Sequence, residues 1–169
     1  TNNSPNFTVS TALSGTGDLV QGAGATLYVG GTSGITTLDA SADPNTVNYS
    51  GAAQTVKPTA YHDLTLSGSG AKTLTNTGTI YGDLTLSGTC TAVTAIPTTI
   101  GENLAVGTGT TLTVAGFGFT VAGTTSVSGT LAHSSAAGTK THVGPVTIES
   151  GGSWTNAGNS AITFQGGLV

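Results

Sequence analysis

The segment Tyr61-His62-Asp63-Leu64-Thr65-Leu66-Ser67-Gly68 returns twenty residues later as Tyr81-Gly82-Asp83-Leu84-Thr85-Leu86-Ser87-Gly88. A further step of twenty gives Gly101-Glu102-Asn103-Leu104-Ala105-Val106-Gly107. Four columns persist through the three copies: Thr59, Thr79 and Thr99; Asp63, Asp83 and Asn103; Leu64, Leu84 and Leu104; and Leu66, Leu86 and Val106. Leu64-Thr65-Leu66 alternates apolar and polar, as do Leu112-Thr113-Val114 and Val146-Thr147-Ile148, which is strand periodicity. Thr, Val, Ile and Tyr around them favour strands. Each run ends in a turn cluster such as Ser67-Gly68-Ser69-Gly70, Gly107-Thr108-Gly109 or Ser150-Gly151-Gly152.

A β-sandwich demands no identity between strands twenty residues apart. A solenoid does, because equivalent residues lie above one another at about 4.8 Å and like stacks on like. The repeat therefore predicts an all-β protein, a single-stranded parallel β-helix (β-solenoid) of about 20–22 residues per coil, with right-handed winding expected. Roughly eight coils would make a rod on the order of 40 Å long. The two Leu/Val columns form interior stacks, and Asp63, Asp83 and Asn103 form a polar column at a turn.

The register extends outward from this block. Leu104-Ala105-Val106 maps onto Val146-Thr147-Ile148, with Thr125-Ser126-Val127 in the coil between, and Leu112 then falls on Trp154. Asn45-Thr46-Val47-Asn48-Tyr49 also resembles Ser160-Ala161-Ile162-Thr163-Phe164. Residues 1–25 read as a connecting or edge segment, and residues 26–169 as the solenoid. Phe7-Thr8-Val9 and Ala161-Ile162-Thr163-Phe164 are strand-like, and neither neighbourhood offers a capping helix. Bare rod ends are expected, covered either by flanking repeats of a longer chain or by a second copy in a head-to-tail filament.

Composition excludes several classes. The 169 residues hold 27 Gly, 35 Thr and 16 Ser, so small residues make up nearly half of the chain. Three Lys and no Arg cannot build a phosphate-binding surface, so nucleic acid is not an expected partner. The charged fraction of 6% argues against charge-driven disorder. No run of about 18 apolar residues is present, so no membrane-inserted helix is expected. Cys90 is the only cysteine, which rules out an intrachain disulfide. Asn2, Asn6 and Asn48 open N-x-[ST] triplets, read as ordinary polar turn residues in so Thr-rich a chain.

From Asn45-Thr46-Val47-Asn48-Tyr49-Ser50-Gly51 through Gln54-Thr55-Val56 to Asp63-Leu64-Thr65-Leu66-Ser67-Gly68-Ser69-Gly70-Ala71-Lys72-Thr73-Leu74, the chain resembles the strand-repeat modules of very large secreted or surface proteins of bacteria. The phrase Gly82-Asp83-Leu84-Thr85-Leu86 is more distantly similar to the filamentous-haemagglutinin type of β-helical adhesin. The resemblance covers residues 45–115 well and the rest loosely. It implies a secreted, elongated β-solenoid at the cell surface, used in adhesion or as a fibre. It brings no catalytic residues to this chain.

Candidate chemistry is sparse. His62, His133 and His142 lack a third ligand at characteristic spacing and read as solvated turn residues, so no metal or cofactor is expected. Asp63 and Asp83, stacked, would bring two carboxylates close enough for Ca²⁺ binding or acid–base work. Turn capping by each side chain accounts equally for Asn103 in the same column. Lys57, Lys72 and Lys140 read as exposed, and Cys90 as a small, partly buried side chain. Tyr61 and Tyr81 share a column and are the candidate carbohydrate platform, set against a Tyr ladder packed along the rod. Thr73, Thr75, Thr77 and Thr79 alternate as an ice-binding array would, but twenty residues on stand Val93 and Ala95. The expected function is structural and non-enzymatic: an extracellular fibre subunit or adhesin stalk module. A carbohydrate- or ice-binding module, with surface glycans as partner, is the alternative, and a polysaccharide-degrading β-helix comes behind it.

Overall fold

In Asp63–Leu66 and Leu84–Leu86 every second side chain is buried, because a strand turns successive side chains to opposite faces. The same alternation runs through the chain, which the computed structural model describes over residues 1–169 as strands, turns and bends with no helix. The strands wind into a parallel β-solenoid of eight coils. The first three coils hold β1 (Phe7–Val9) and β2 (Ala12–Val20), β3 (Thr26–Val29) and β4 (Thr32–Asp39), then β5 (Thr46–Tyr49) and β6 (Gln54–Thr55). Three strands form each later coil. The fourth has β7 (Asp63–Leu66), β8 (Ser69–Leu74) and β9 (Thr79–Ile80); the fifth β10 (Leu84–Leu86), β11 (Thr89–Thr94) and β12 (Thr98–Ile100). The sixth has β13 (Leu104–Val106), β14 (Thr111–Val114) and β15 (Phe119–Val121). The seventh has β16 (Thr125–Val127), β17 (Thr130–His133) and β18 (Lys140–His142), and the eighth β19 (Val146–Ile148), β20 (Ser153–Thr155) and β21 (Ile162–Phe164).

Three walls result. The eight-stranded wall runs β1-β3-β5-β7-β10-β13-β16-β19, the six-stranded wall β20-β17-β14-β11-β8-β6, and the five-stranded wall β21-β18-β15-β12-β9. β2 and β4 pair separately, and both are largely solvent-facing. Leu64 pairs with Leu84 and Leu84 with Leu104; Leu66, Leu86 and Val106 follow in the neighbouring register. All six are buried. Beyond them the first column continues to Thr125 and Val146, and the second to Val127 and Ile148. Burial of each Leu contributes roughly 1.5–3 kcal/mol, and its contacts lie with the coils immediately above and below.

The coils differ in length where register is set by corners. From Val47 to Leu64 the step is only 17 residues, against 20 from Leu27 to Val47. At the next corner Tyr61 bridges to Ile80, while Leu64 pairs with Leu84, so Tyr81 is one extra residue bulged outward. Residues 1–25 form the coil at the edge of the rod, where β1 pairs with β3, and β2 with β4. The likeness of Asn45–Tyr49 to Ser160–Phe164 is not positional, since β5 and β21 lie in different walls. Tight corners require glycine at two equivalent places: Gly68 and Gly88 have φ of 72° and 73°, and a Cβ on Gly88 would stand 2.4 Å from the Gly68 carbonyl oxygen.

Candidate functional site

The polar column before the Leu stack is a ladder between coils. Asp63 Oδ1 accepts from the backbone N–H of Asp83 at 2.9 Å, and Asp83 Oδ1 accepts from Asn103 N at 2.8 Å and Asn103 Nδ2 at 2.9 Å. Asn103 Oδ1 in turn accepts from Thr124 N and Oγ1. The side chains thus cap the next coil rather than their own turn. The space they need is kept by Gly82 and Gly123, where a Cβ would meet Asp63 Oδ1 at 2.2 Å and Asn103 Oδ1 at 2.6 Å. One oxygen of each carboxylate is committed to a backbone amide, which opposes use of the pair as a cation cradle or acid–base couple. His62 sits beside this column, its Nδ1 at 3.1 Å from Asp63 Oδ1 and its Nε2 at 3.2 Å from exposed Asp43.

Tyr61 and Tyr81 do not form a platform. Tyr61 is fully buried and packs edge-on against Tyr49, with their hydroxyls 3.0 Å apart and the Tyr61 O–H donating to the Lys57 carbonyl. Burial pushes both phenols above their ordinary value. Tyr81 is 54% exposed on the corner. The one-residue bulge that places Ile80 over Tyr61 separates them, and no sugar can stack on both.

Two lysines expected at the surface are interior. Lys72 Nζ donates to the carbonyls of Gly51 and Ala52 and to Gln54 Oε1 at 2.7–2.8 Å. Lys140 Nζ donates to the carbonyls of Ser135, Ala137 and Gly138. Burial lowers the affinity of both amines for their proton. Each lysine satisfies carbonyls at a corner between strands. Cys90 is buried beside Lys72's coil, its thiol pushed up by burial, which is inert rather than nucleophilic chemistry. Of the triplet asparagines, Asn2 bonds Gln21 and Asn48 accepts from Ser67 Oγ, while Asn6 is exposed.

His133 and His142 are also buried, contrary to the expectation of solvated turns. They sit at the heart of an aromatic cluster with Phe119, Trp154 and Phe164, with neighbouring centroids 4.9–6.4 Å apart. Burial, aided by Lys140 at His133 and by His133 at His142, pulls both down to about 4. Alternation alone could have found them: each occupies the inward position of its strand.

The outward face of the six-stranded wall carries no charged side chain. Ala71, Thr91, Thr111, Thr130 and Ser153 stand in one column, and Thr73, Val93, Thr113, Ala132 and Thr155 in the next. A second column on the five-stranded wall is unbroken: Thr79, Thr99, Thr120, Thr141 and Thr163. A groove of about 520 Å³ opens where the short third coil leaves β4 uncovered, lined by Gly31, Ser33, Gln54, Thr55, Lys57 and Pro58 among others. No family model matches the chain, and neither a curated protein nor a solved structure is significantly similar to it.

Proposed function

We propose that the chain is a structural module of an extracellular or cell-surface fibre or adhesin stalk, stacked end to end with copies of itself or with flanking repeats. The observation that carries this reading is the pair of axial faces. At one, β1 and β2 each pair on a single side; at the other, β20 and β21 do the same. Parallel strand edges of this kind are templates for a further coil. Apolar side chains accompany the first of them: Phe7 and Val20 are 39% and 36% exposed. Joining unlike faces is a heterologous contact that does not close, so it propagates as a filament. The surface assignment draws on the likeness to bacterial strand-repeat modules.

Electron microscopy and sedimentation over a wide concentration range test the reading. Rods lengthening with concentration support self-stacking. For flanking repeats, fusing further coils to either face should extend the rod as one cooperative unit. Short monomeric rods whose fused coils fold independently of them would remove the proposal.

A second reading, a module binding ice or surface glycans, has one observation in its favour: the unbroken Thr column of the five-stranded wall beside the uncharged outer columns of the six-stranded wall. Their spacing of about 4.8 Å between strands is regular enough to order water. Thermal hysteresis and glycan-array binding measure it directly.

A further inference from the structure

The seventh coil departs from its neighbours in its interior. Its inward side chains include Thr125, His133 and His142. In the coil before it the residues in register with these three are Leu104, Val114 and Val121. Three apolar positions therefore turn polar together in one layer, where unpaired polar groups are costly. His133 and His142 lie on adjoining walls, are fully buried, and have ring centroids 6.4 Å apart with planes at 85°. Thr125 Oγ1 lies 2.8 Å from His142 Nδ1. His142 Nε2 and both ring nitrogens of His133 have no hydrogen-bond partner. Native interiors leave few such atoms orphaned.

We propose that His133 and His142 form a two-coordinate site for one soft monovalent cation, Cu(I) or its analogue Ag(I). The centroid separation of 6.4 Å is compatible: two metal–imidazole bonds of about 2.0 Å, with the two ring radii, would span roughly that distance with one nitrogen of each ring turned to the metal. The donor set selects the metal. Zn²⁺ takes three or four protein ligands, and no third His, Cys, Asp or Glu joins this pair to hold one. Ca²⁺ and Mg²⁺ require oxygen ligands, whereas imidazole suits copper. The Lys140 ammonium, held by three carbonyls, repels added positive charge near His133, so a monovalent ion is opposed less than a divalent one. Both imidazoles are neutral at pH 7, so they ligate without releasing a proton. Thr125 is a positioning residue: its Oγ1 lies 2.8 Å from His142 Nδ1, and in the tautomer protonated at Nδ1 it leaves the Nε2 lone pair to the metal. The Trp154 ring lies 4.9 Å from His133 and 5.1 Å from His142, and an indole stabilises a desolvated cation.

Anaerobic titration with Cu(I) against a chromophoric chelator, and calorimetry with Ag(I), test the site. One equivalent should bind, quench the single tryptophan and shift the ¹⁵N resonances of both rings; Zn²⁺ should do none of these. His133→Phe and His142→Phe, each checked for its β-sheet circular dichroism, should abolish binding. Thr125→Val should weaken it roughly ten-fold or more, and Thr125→Ser should restore it. Folded wild-type protein that takes up neither ion, or uptake that persists in both histidine variants, overturns the assignment. If the Phe variants do not fold, the wild-type ¹⁵N spectrum decides, since a site elsewhere leaves both rings unmoved.

Discussion

Asp83 receives two hydrogen bonds from Asn103 while its own amide donates to Asp63, so it links three coils. Asp83→Ala should cost about 1–3 kcal/mol, because the Asn103 amide loses its acceptor; urea unfolding measures it, and Asp83→Asn should recover much of the loss. Gly88→Ala should be at least as harmful, since a Cβ there collides with backbone at a φ that favours glycine. His133 and His142 set the acid response. Their folded-state affinity for protons lies below the unfolded value of 6.5, at about 4. The unfolded chain therefore binds more protons between these limits. Their contribution to stability is complete above about pH 6.5, falls as pH drops through the window, and is gone by about pH 4. The loss is at most about 3 kcal/mol per histidine. Melting temperatures measured from pH 7 to 4 should fall, and His133→Phe with His142→Phe should flatten that slope.

At the level of the strand, alternation and a twenty-residue period were enough to read β7, β10 and β13 and their register, because one interior column needs one kind of residue. Leu84→Ala should cost about 2–5 kcal/mol as a cavity in a stack with close neighbours above and below, read by denaturant titration. Hydrogen exchange should quicken most in the fourth to sixth coils, since coupling passes mainly between adjacent coils. Corners were less legible. The three-residue shortening after β5 and the bulge at Tyr81 change register without disturbing the local pattern, and so the Tyr61–Tyr81 pairing failed. The interior lysines were missed because their cationic tips serve carbonyls at corners, a partnership invisible to periodicity. Tyr81→Ala, on an exposed bulge, should change stability by less than about 0.5 kcal/mol.

For the whole molecule, lysine on an edge strand should block stacking while leaving the coil intact. Thr8→Lys at one face and Thr163→Lys at the other, both exposed, are each expected to shorten rods in electron micrographs, and the circular dichroism of the monomer should hardly change. The chain's own residues determined the winding: a period near twenty, inward Leu and Val, and glycine at tight corners leave few ways to bury the apolar columns other than coil upon coil. What the tertiary structure alone decided is where the period slips and what the interior does with its polar side chains. Those outcomes depend on neighbours in space, in coils above and below or on an adjoining wall, and distance along the chain does not encode them.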